Sequence, residues 1–290
     1  MSLSPAPDHA RANPLVSSTS TDQARRSSAA SDLDSELDQA NILERLNEVL
    51  DPELDESIVK LGFVQSIVWR GVHVHVVLAL PTSWCAITFA YIMAEDIRRV
   101  LLGFAGIKQA TIGLLDHCAA QEIEAAVNTG KTFADAFPQE APEGLNALRM
   151  IFLRKGYLVR QERLLRTLRE AGCSAATICA LRQGDVVMKG GRLLIAPLGE
   201  TTLDAGPGET LKSYLKRRSE LGLSCAPDAV LITDDEDLPI PAGQLKTYYQ
   251  IARTVSVALD ANGSFCRVML ATRRTEMKQP TEGEGNHVPS

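Results

Sequence analysis

Cys85 lies in the run Leu80-Pro81-Thr82-Ser83-Trp84-Cys85-Ala86-Ile87-Thr88, between a segment of alternating polarity and a long apolar-periodic one. A cysteine there sits at a strand-to-helix junction. Unpaired main-chain N–H groups and the positive end of the helix favour its thiolate, the form that binds metals and attacks electrophiles. Asp116-His117-Cys118 occupies a second junction of the same kind. Thiolate and imidazole together suit iron and zinc. A loop around Asp51-Pro52-Glu53 supplies carboxylates.

These residues can meet only if particular elements carry them. A helix is predicted over 38–50, with Ile42, Leu43, Leu46 and Leu50 on its apolar face, ended by Asp51-Pro52 because the residue before proline leaves the helical region. A strand over 65–69, the turn Arg70-Gly71 and a strand over 72–79 form a hairpin. Val72, Val74, Val76 and Leu78 face the core, and His73 and His75 share a half-exposed polar face rather than a metal. The helix after Cys85 ends at Gly103, a strand covers 107–115, and a helix over 119–128 closes at Gly130. If the first of these helices is a right-handed crossover, the strands ending at Leu80 and Leu115 run parallel. Cys85, His117 and Cys118 then share the rim where open α/β sheets bind ligands. The fold class expected is α/β (α+β), a small mixed sheet with helices on one face.

The chain has 290 residues, 45% hydrophobic and 23% charged, enough for two domains with real cores. Its net charge of -6 opposes a general nucleic-acid or anionic-membrane binder. No apolar run approaches the roughly 20 residues that span a bilayer. Six scattered cysteines without a signal-peptide core predict reduced thiols and a cytoplasmic location. Residues 1–36 read as a disordered tail, since Asp8, Asp22, Asp32 and Asp34 do not suit a transit peptide.

The expected organisation is an N-terminal domain over 37–136, a linker over 137–144, an α+β partner-recognition domain over 145–275 and a disordered end over 276–290. In the second domain, helices are predicted over 145–155, capped by Gly156, and 159–171, capped by Gly172. Ser174 N-caps a third over 175–183, and a hairpin follows over 186–188 and 192–195. Residues 164–181 resemble a helix-turn-helix with the hairpin as its wing, a winged-helix-like part. Only Thr177, Arg182 and Gln183 offer contacts to DNA, so protein packing is the favoured use. Cys173 and Cys179 are spaced for core packing rather than for a metal knuckle. Lys212, Lys216, Arg217 and Arg218 form a basic stripe on a helix over 209–221, a solvated face or a docking surface for an acidic partner. Asp234-Asp235-Glu236-Asp237 reads as an exposed acidic turn. A helix over 243–259, the turn Asp260-Ala261-Asn262-Gly263 and a strand over 265–271 complete the domain.

Three separated motifs carry a resemblance: Asp51-Pro52-Glu53, then Ser57-Ile58-Val59-x-Leu61-Gly62-x-Val64, then Pro81-Thr82-x-x-Cys85. Together over 42–128 they resemble the small domain of PaaD-like and SufT-like iron-sulfur assembly proteins. The resemblance implies a non-catalytic maturation factor in which Cys85 helps deliver or assemble an iron or iron-sulfur centre on a client metalloenzyme. It makes Asp51, Glu53 and Thr82 the motif loop. Trp84 and Ala86 depart from the family's usual neighbours of that cysteine, and Cys118 is an extra thiol that, with His117, could join Cys85 in holding a transient iron or cluster. Expected partners are the client and iron-sulfur scaffold proteins, with a homodimer also allowed. Two alternatives stand beside this reading: a helix-turn-helix regulator with a metal-sensing domain, and an assembly chaperone that binds no metal. No nucleophile-base pair, phosphate loop or cofactor fingerprint supports an enzyme.

Overall fold

The computed structural model describes residues 39–140, 144–189, 192–196, 199–200 and 207–278. The first elements are α1 (Gln39–Leu46) and a two-rung antiparallel ladder between β1 (Leu50–Asp51) and β2 (Glu56–Ser57). Next come β3 (Val64–Arg70), β4 (His73–Ala79), α2 (Ile87–Leu102), β5 (Gln109–Leu115), α3 (Ala120–Thr129) and the single turn α4 (Phe133–Ala136). The three longer strands form a mixed sheet in the order β3-β4-β5. β3 and β4 pair antiparallel, and β4 and β5 pair in parallel from His73↔Gln109 to Ala79↔Leu115. The parallel pairing follows from α2, which returns the chain to the start of the sheet.

Alternation sets the sheet's inner face: Val74, Val76 and Leu78 are fully buried, as are Ala110, Ile112 and Leu114 on the neighbouring strand. Val72 lies in the turn and is exposed, so the inward run begins at Val74 rather than at Val72. Met93, Ile97 and Leu101 of α2, and Ile123 and Val127 of α3, complete this core. His73 and His75 bond the same hydroxyl, Thr111 Oγ1, at 3.0 and 2.9 Å across the parallel ladder. That shared partner accounts for both rings without a metal.

The remaining elements are α5 (Leu145–Glu170), α6 (Ala175–Ala180), a 3₁₀ turn (Gln183–Asp185), β6 (Val186–Lys189), β7 (Arg192–Ile195), β8 (Gly199–Glu200), α7 (Pro207–Glu220) and α8 (Leu245–Lys278). From Leu43 onward these belong to one compact unit. α5 packs on α7 and α8 around Tyr157, Leu164, Leu168, Tyr214 and Leu245. The hairpin β6-β7 is present, and Ser174 caps α6 through its hydroxyl, which accepts from Thr177 N at 3.1 Å. Cys173 is buried in the core and Cys179 is partly buried against it.

Three expectations are overturned. Gly156 ends no helix: α5 runs unbroken through it, because an added Cβ there would stand 2.8 Å from the Asp55 carboxyl. The missing side chain admits a neighbour, which outweighs the helix cost of glycine. The turn over 260–263 and the strand over 265–271 are both replaced by α8, 34 residues of continuous helix. Its contacts to both halves of the molecule outweigh the weak helix preference of Asn262 and Gly263. The basic stripe is divided: Lys212 and Lys216 are exposed, but Arg217 and Arg218 are buried. Arg217 pairs with Asp55 and Glu220, and Arg218 with Asp237, whose expected exposed acidic turn is thus partly an internal partner.

The predicted tail over 1–36, part of the linker (141–143) and everything after 278 lie outside the described residues. Among the described residues no helix is long and apolar enough to cross a membrane.

Candidate functional site: a thiol at the strand-end rim

The rim is made by the carboxyl ends of β4 and β5. After Ala79, the run Leu80–Ala86 crosses from strand to helix; after Leu115, Asp116 takes a left-handed conformation (φ 52°) that turns the chain toward α3. The two crossings are tied by main-chain and side-chain bonds. Cys118 N donates to Ser83 O at 2.7 Å, and His117 lies 2.9 Å from the carbonyl oxygen of Cys85 through Nε2. His117 Nδ1 accepts from Ala119 N at 3.2 Å, which leaves the ring proton on Nε2 to donate to Cys85. His117 is buried and acts here as a brace for the main chain carrying the thiol. Cys118 is exposed, and Thr82 is partly buried beside the fully displayed Trp84 (75% exposed).

The charges of the Asp51-Pro52-Glu53 loop act on the same thiol. Asp51 is buried, and its Oδ1 accepts from the main-chain N–H groups of Glu53 (2.9 Å) and Leu54 (2.8 Å), pinning the loop between β1 and β2. Burial lifts its carboxyl from 3.8 to about 6, against those two bonds, which favour the ionised form. Burial likewise pushes the Cys85 thiol up to about 12, and Asp51, Cys266 and Glu53 add to the rise through their charge. The main-chain N–H of Ala86 offsets only part of it. The helix end was expected to favour a thiolate; desolvation and neighbouring carboxylates win, and the resting group is the neutral thiol.

Of the predicted residues, hydrogen bonds tie His117 and Cys118 to the run that carries Cys85, and the charges of Asp51 and Glu53 act on its thiol. Lys212, Lys216, Arg217 and Arg218 belong to α7 and do not line this rim. Cys266 of α8 was missed. Its burial and the charges of Asp51 and Glu53 raise its thiol as well, so both cysteines share one acidic, partly dehydrated neighbourhood. The signal for it is helical phase: Cys266, Leu270 and Arg273/Arg274 recur at four and three to four residues, one face of a helix. Read as a strand, the same residues scatter over two faces.

α8 closes over the rim with its arginines. Arg273 donates to the carbonyl oxygen of Leu80 at 2.7 Å, and to the main-chain oxygen (2.5 Å) and carboxylate (2.7 Å) of Asp116. Arg274 donates to Gly62 O at 2.6 Å, and Arg267 to Glu56 at 2.8 Å. Beside Arg273 an open cleft remains, lined by Pro81, Thr82, Trp84, Asp116 and Met269. Among the described residues no three His, Cys, Asp or Glu side chains are grouped so as to hold a metal ion. A soft metal engaging Cys85 would displace its proton and would need ligands from elsewhere.

Among curated proteins no match to this chain is found. A family model described as iron-sulfur cluster assembly protein matches residues 39–113, which take in the Asp-Pro-Glu loop, the β3-β4 hairpin and Cys85 and stop short of His117. The match supports an iron-sulfur cluster assembly domain in that segment, about a quarter of the chain.

Proposed function

We propose that this chain is a non-catalytic maturation factor that passes iron or an iron-sulfur centre to a client metalloenzyme, with Cys85 as the sulfur that engages the cargo. The observation that carries the reading is Cys85 at the strand-end rim within the matched segment, its thiol acted on by the charges of Asp51 and Glu53. The high thiol pKa suits transient ligation: the sulfur stays protonated and unreactive until a metal competes with the proton for it. Engagement then releases one proton per thiolate formed, and lowering the pH returns the cargo. With no group of three ligands among the described residues, the remaining ligands come from the cargo's own sulfides, from a scaffold protein or from the client. The C-terminal part, 145–275, serves as the partner-recognition domain.

The regulator reading is less well supported. α6, the would-be recognition helix, is six residues long and exposes Ala175, Ala176 and Ala180, none of which can bond phosphate or base.

Anaerobic reconstitution with iron and sulfide, with absorption spectra and metal counting on wild type, Cys85→Ala and Cys118→Ala, tests the proposal. Charge-transfer bands lost with Cys85→Ala and retained with Cys118→Ala are expected. A wild type that stays colourless and metal-free, while still restoring client activity, overturns cargo binding in favour of a metal-free chaperone.

A further inference from the structure

The two halves of α8 are held in different ways. Up to Leu259 the helix is part of an apolar core: Leu245, Ala252 and Leu259 are buried, Tyr248 and Tyr249 pack against the same cluster, and Arg169 stacks over the Tyr249 ring at 4.6 Å. Past Gly263 the attachment is mainly polar. Leu270 is the one large apolar side chain there that is fully buried among the described residues, near Gly62, and the holding contacts are those of Arg267, Arg273 and Arg274. The Asp116 carboxylate is 68% exposed and Glu56 is 36% exposed, so both ion pairs are weak and sensitive to salt. Phe265 and Val268 point to solvent on the outer side. Between the two halves lie Asn262 and Gly263, poor helix formers whose helical state depends on the contacts on either side.

What the distal half sits on is the rim itself. Leu80 and Asp116 are the first residues after β4 and β5, and Arg273 occupies their carbonyl oxygens, which face the direction from which a ligand arrives at such a sheet. Cys266 is carried on the same face toward the neighbourhood of Cys85.

We infer that the segment of α8 beyond Gly263 is a displaceable cover over the Cys85 rim, hinged at Asn262-Gly263 and held shut by Arg267, Arg273 and Arg274. Opening it uncovers the motif loop and the thiol together. The proximal half stays docked, so the cover swings without unfolding the C-terminal core. The inference takes Cys85 as the working thiol from the reading above.

Two measurements on the full chain test it. In wild type, amide hydrogen exchange is expected to be faster over 264–275 than over 246–259, because local opening frees only the distal half. Equal protection across α8 overturns the cover. In Arg273→Ala/Arg274→Ala, alkylation of Cys85 by iodoacetamide, followed by peptide mass spectrometry, should accelerate about tenfold or more, with added salt producing a smaller rise in wild type. Core Cys173 is the internal control and should not change. No acceleration, or Cys85 and Cys173 accelerating together, overturns the cover in favour of a fixed brace. The two readings fail separately: an opened, reactive Cys85 that takes up no iron sinks the cargo function and leaves the cover, whereas iron bound through Cys85 with no change in the arginine variant does the reverse.

Discussion

The guanidinium of Arg160 grips both carboxylate oxygens of Asp55, from Nε to Oδ2 at 2.7 Å and from Nη2 to Oδ1 at 3.0 Å, across 105 residues of chain. Arg217 joins the same carboxylate, and all three side chains are nearly inaccessible. Asp55 belongs to the loop between β1 and β2, so one carboxylate joins the iron-sulfur assembly segment to α5 and α7.

Removing that carboxylate leaves the buried Arg160 without its anion and Arg217 with Glu220 alone. Asp55→Asn keeps a residue that tolerates the left-handed backbone at this position (φ 52°), and so isolates the charge. A loss of about 3–5 kcal/mol is expected, read as a lower denaturant midpoint at unchanged slope. Gly156→Ala presses on the same carboxylate from the other side and should cost about 1–3 kcal/mol. A neutral outcome for both would show that the triad is dispensable for holding α5 in place.

Asp51 makes stability depend on pH. Its folded-state value, about 6, lies above the ordinary 3.8, so the stability it contributes is present below pH 3.8 and is lost as pH rises through 6. Asp51→Asn retains the Oδ1 acceptor for Glu53 and Leu54 and carries no charge. Its stability relative to wild type should therefore grow by about 1–3 kcal/mol between pH 4 and pH 7. Thermal melts across that range give the answer. The same substitution removes the carboxylate that raises the Cys85 thiol, so alkylation of Cys85 at pH 8.5 should speed up several-fold; an unchanged rate would uncouple the loop from the thiol.

His117→Ala leaves the carbonyl of Cys85 and the N–H of Ala119 without their partner. The cost should be about 1–3 kcal/mol, and faster hydrogen exchange should be confined to the Ala119 amide and its neighbours. Global loss of protection would instead make His117 a general core residue.

A second buried network is independent of the rim. The Tyr157 hydroxyl lies 3.0 Å from both the Tyr214 hydroxyl and Thr233 O, while Gln161 and Arg218 donate to it. Tyr157→Phe removes the hydroxyl that donates to Thr233 O, while Gln161 keeps Tyr214 and Thr233 as acceptors and Arg218 keeps Tyr214, Leu231 and Thr233. The change should cost about 1 kcal/mol in a chemical denaturation series, with iron uptake unaffected.

What could be read from the sequence depended on the range of the forces involved. The β3-β4 hairpin follows from the alternation at 73–79 and the Arg70-Gly71 turn, and the meeting of His117 with Cys85 follows from the handedness of one crossover. Gly156 and Gly263 misled because a glycine signals a helix end only when nothing distant needs its missing side chain. At Gly156 the distant need is Asp55, a hundred residues earlier. Arg217 and Arg218 share a pattern with exposed basic stripes; only the positions of Asp55 and Asp237 in space turn them inward. Cys266 was hidden by the false turn at 260–263, which broke the helical phase that places it with Leu270 and Arg273.

Arg273 and the Leu80 carbonyl it binds are 193 residues apart in the chain. At ribosomal rates of about 5–20 residues per second, roughly 10–40 s pass between the synthesis of the two. The residues of the rim are therefore made first, and the distal part of α8 that bonds them is made last. If the distal half of α8 is the cover inferred above, the order of synthesis gives each new molecule one period in which the rim exists before the arginines that hold it shut.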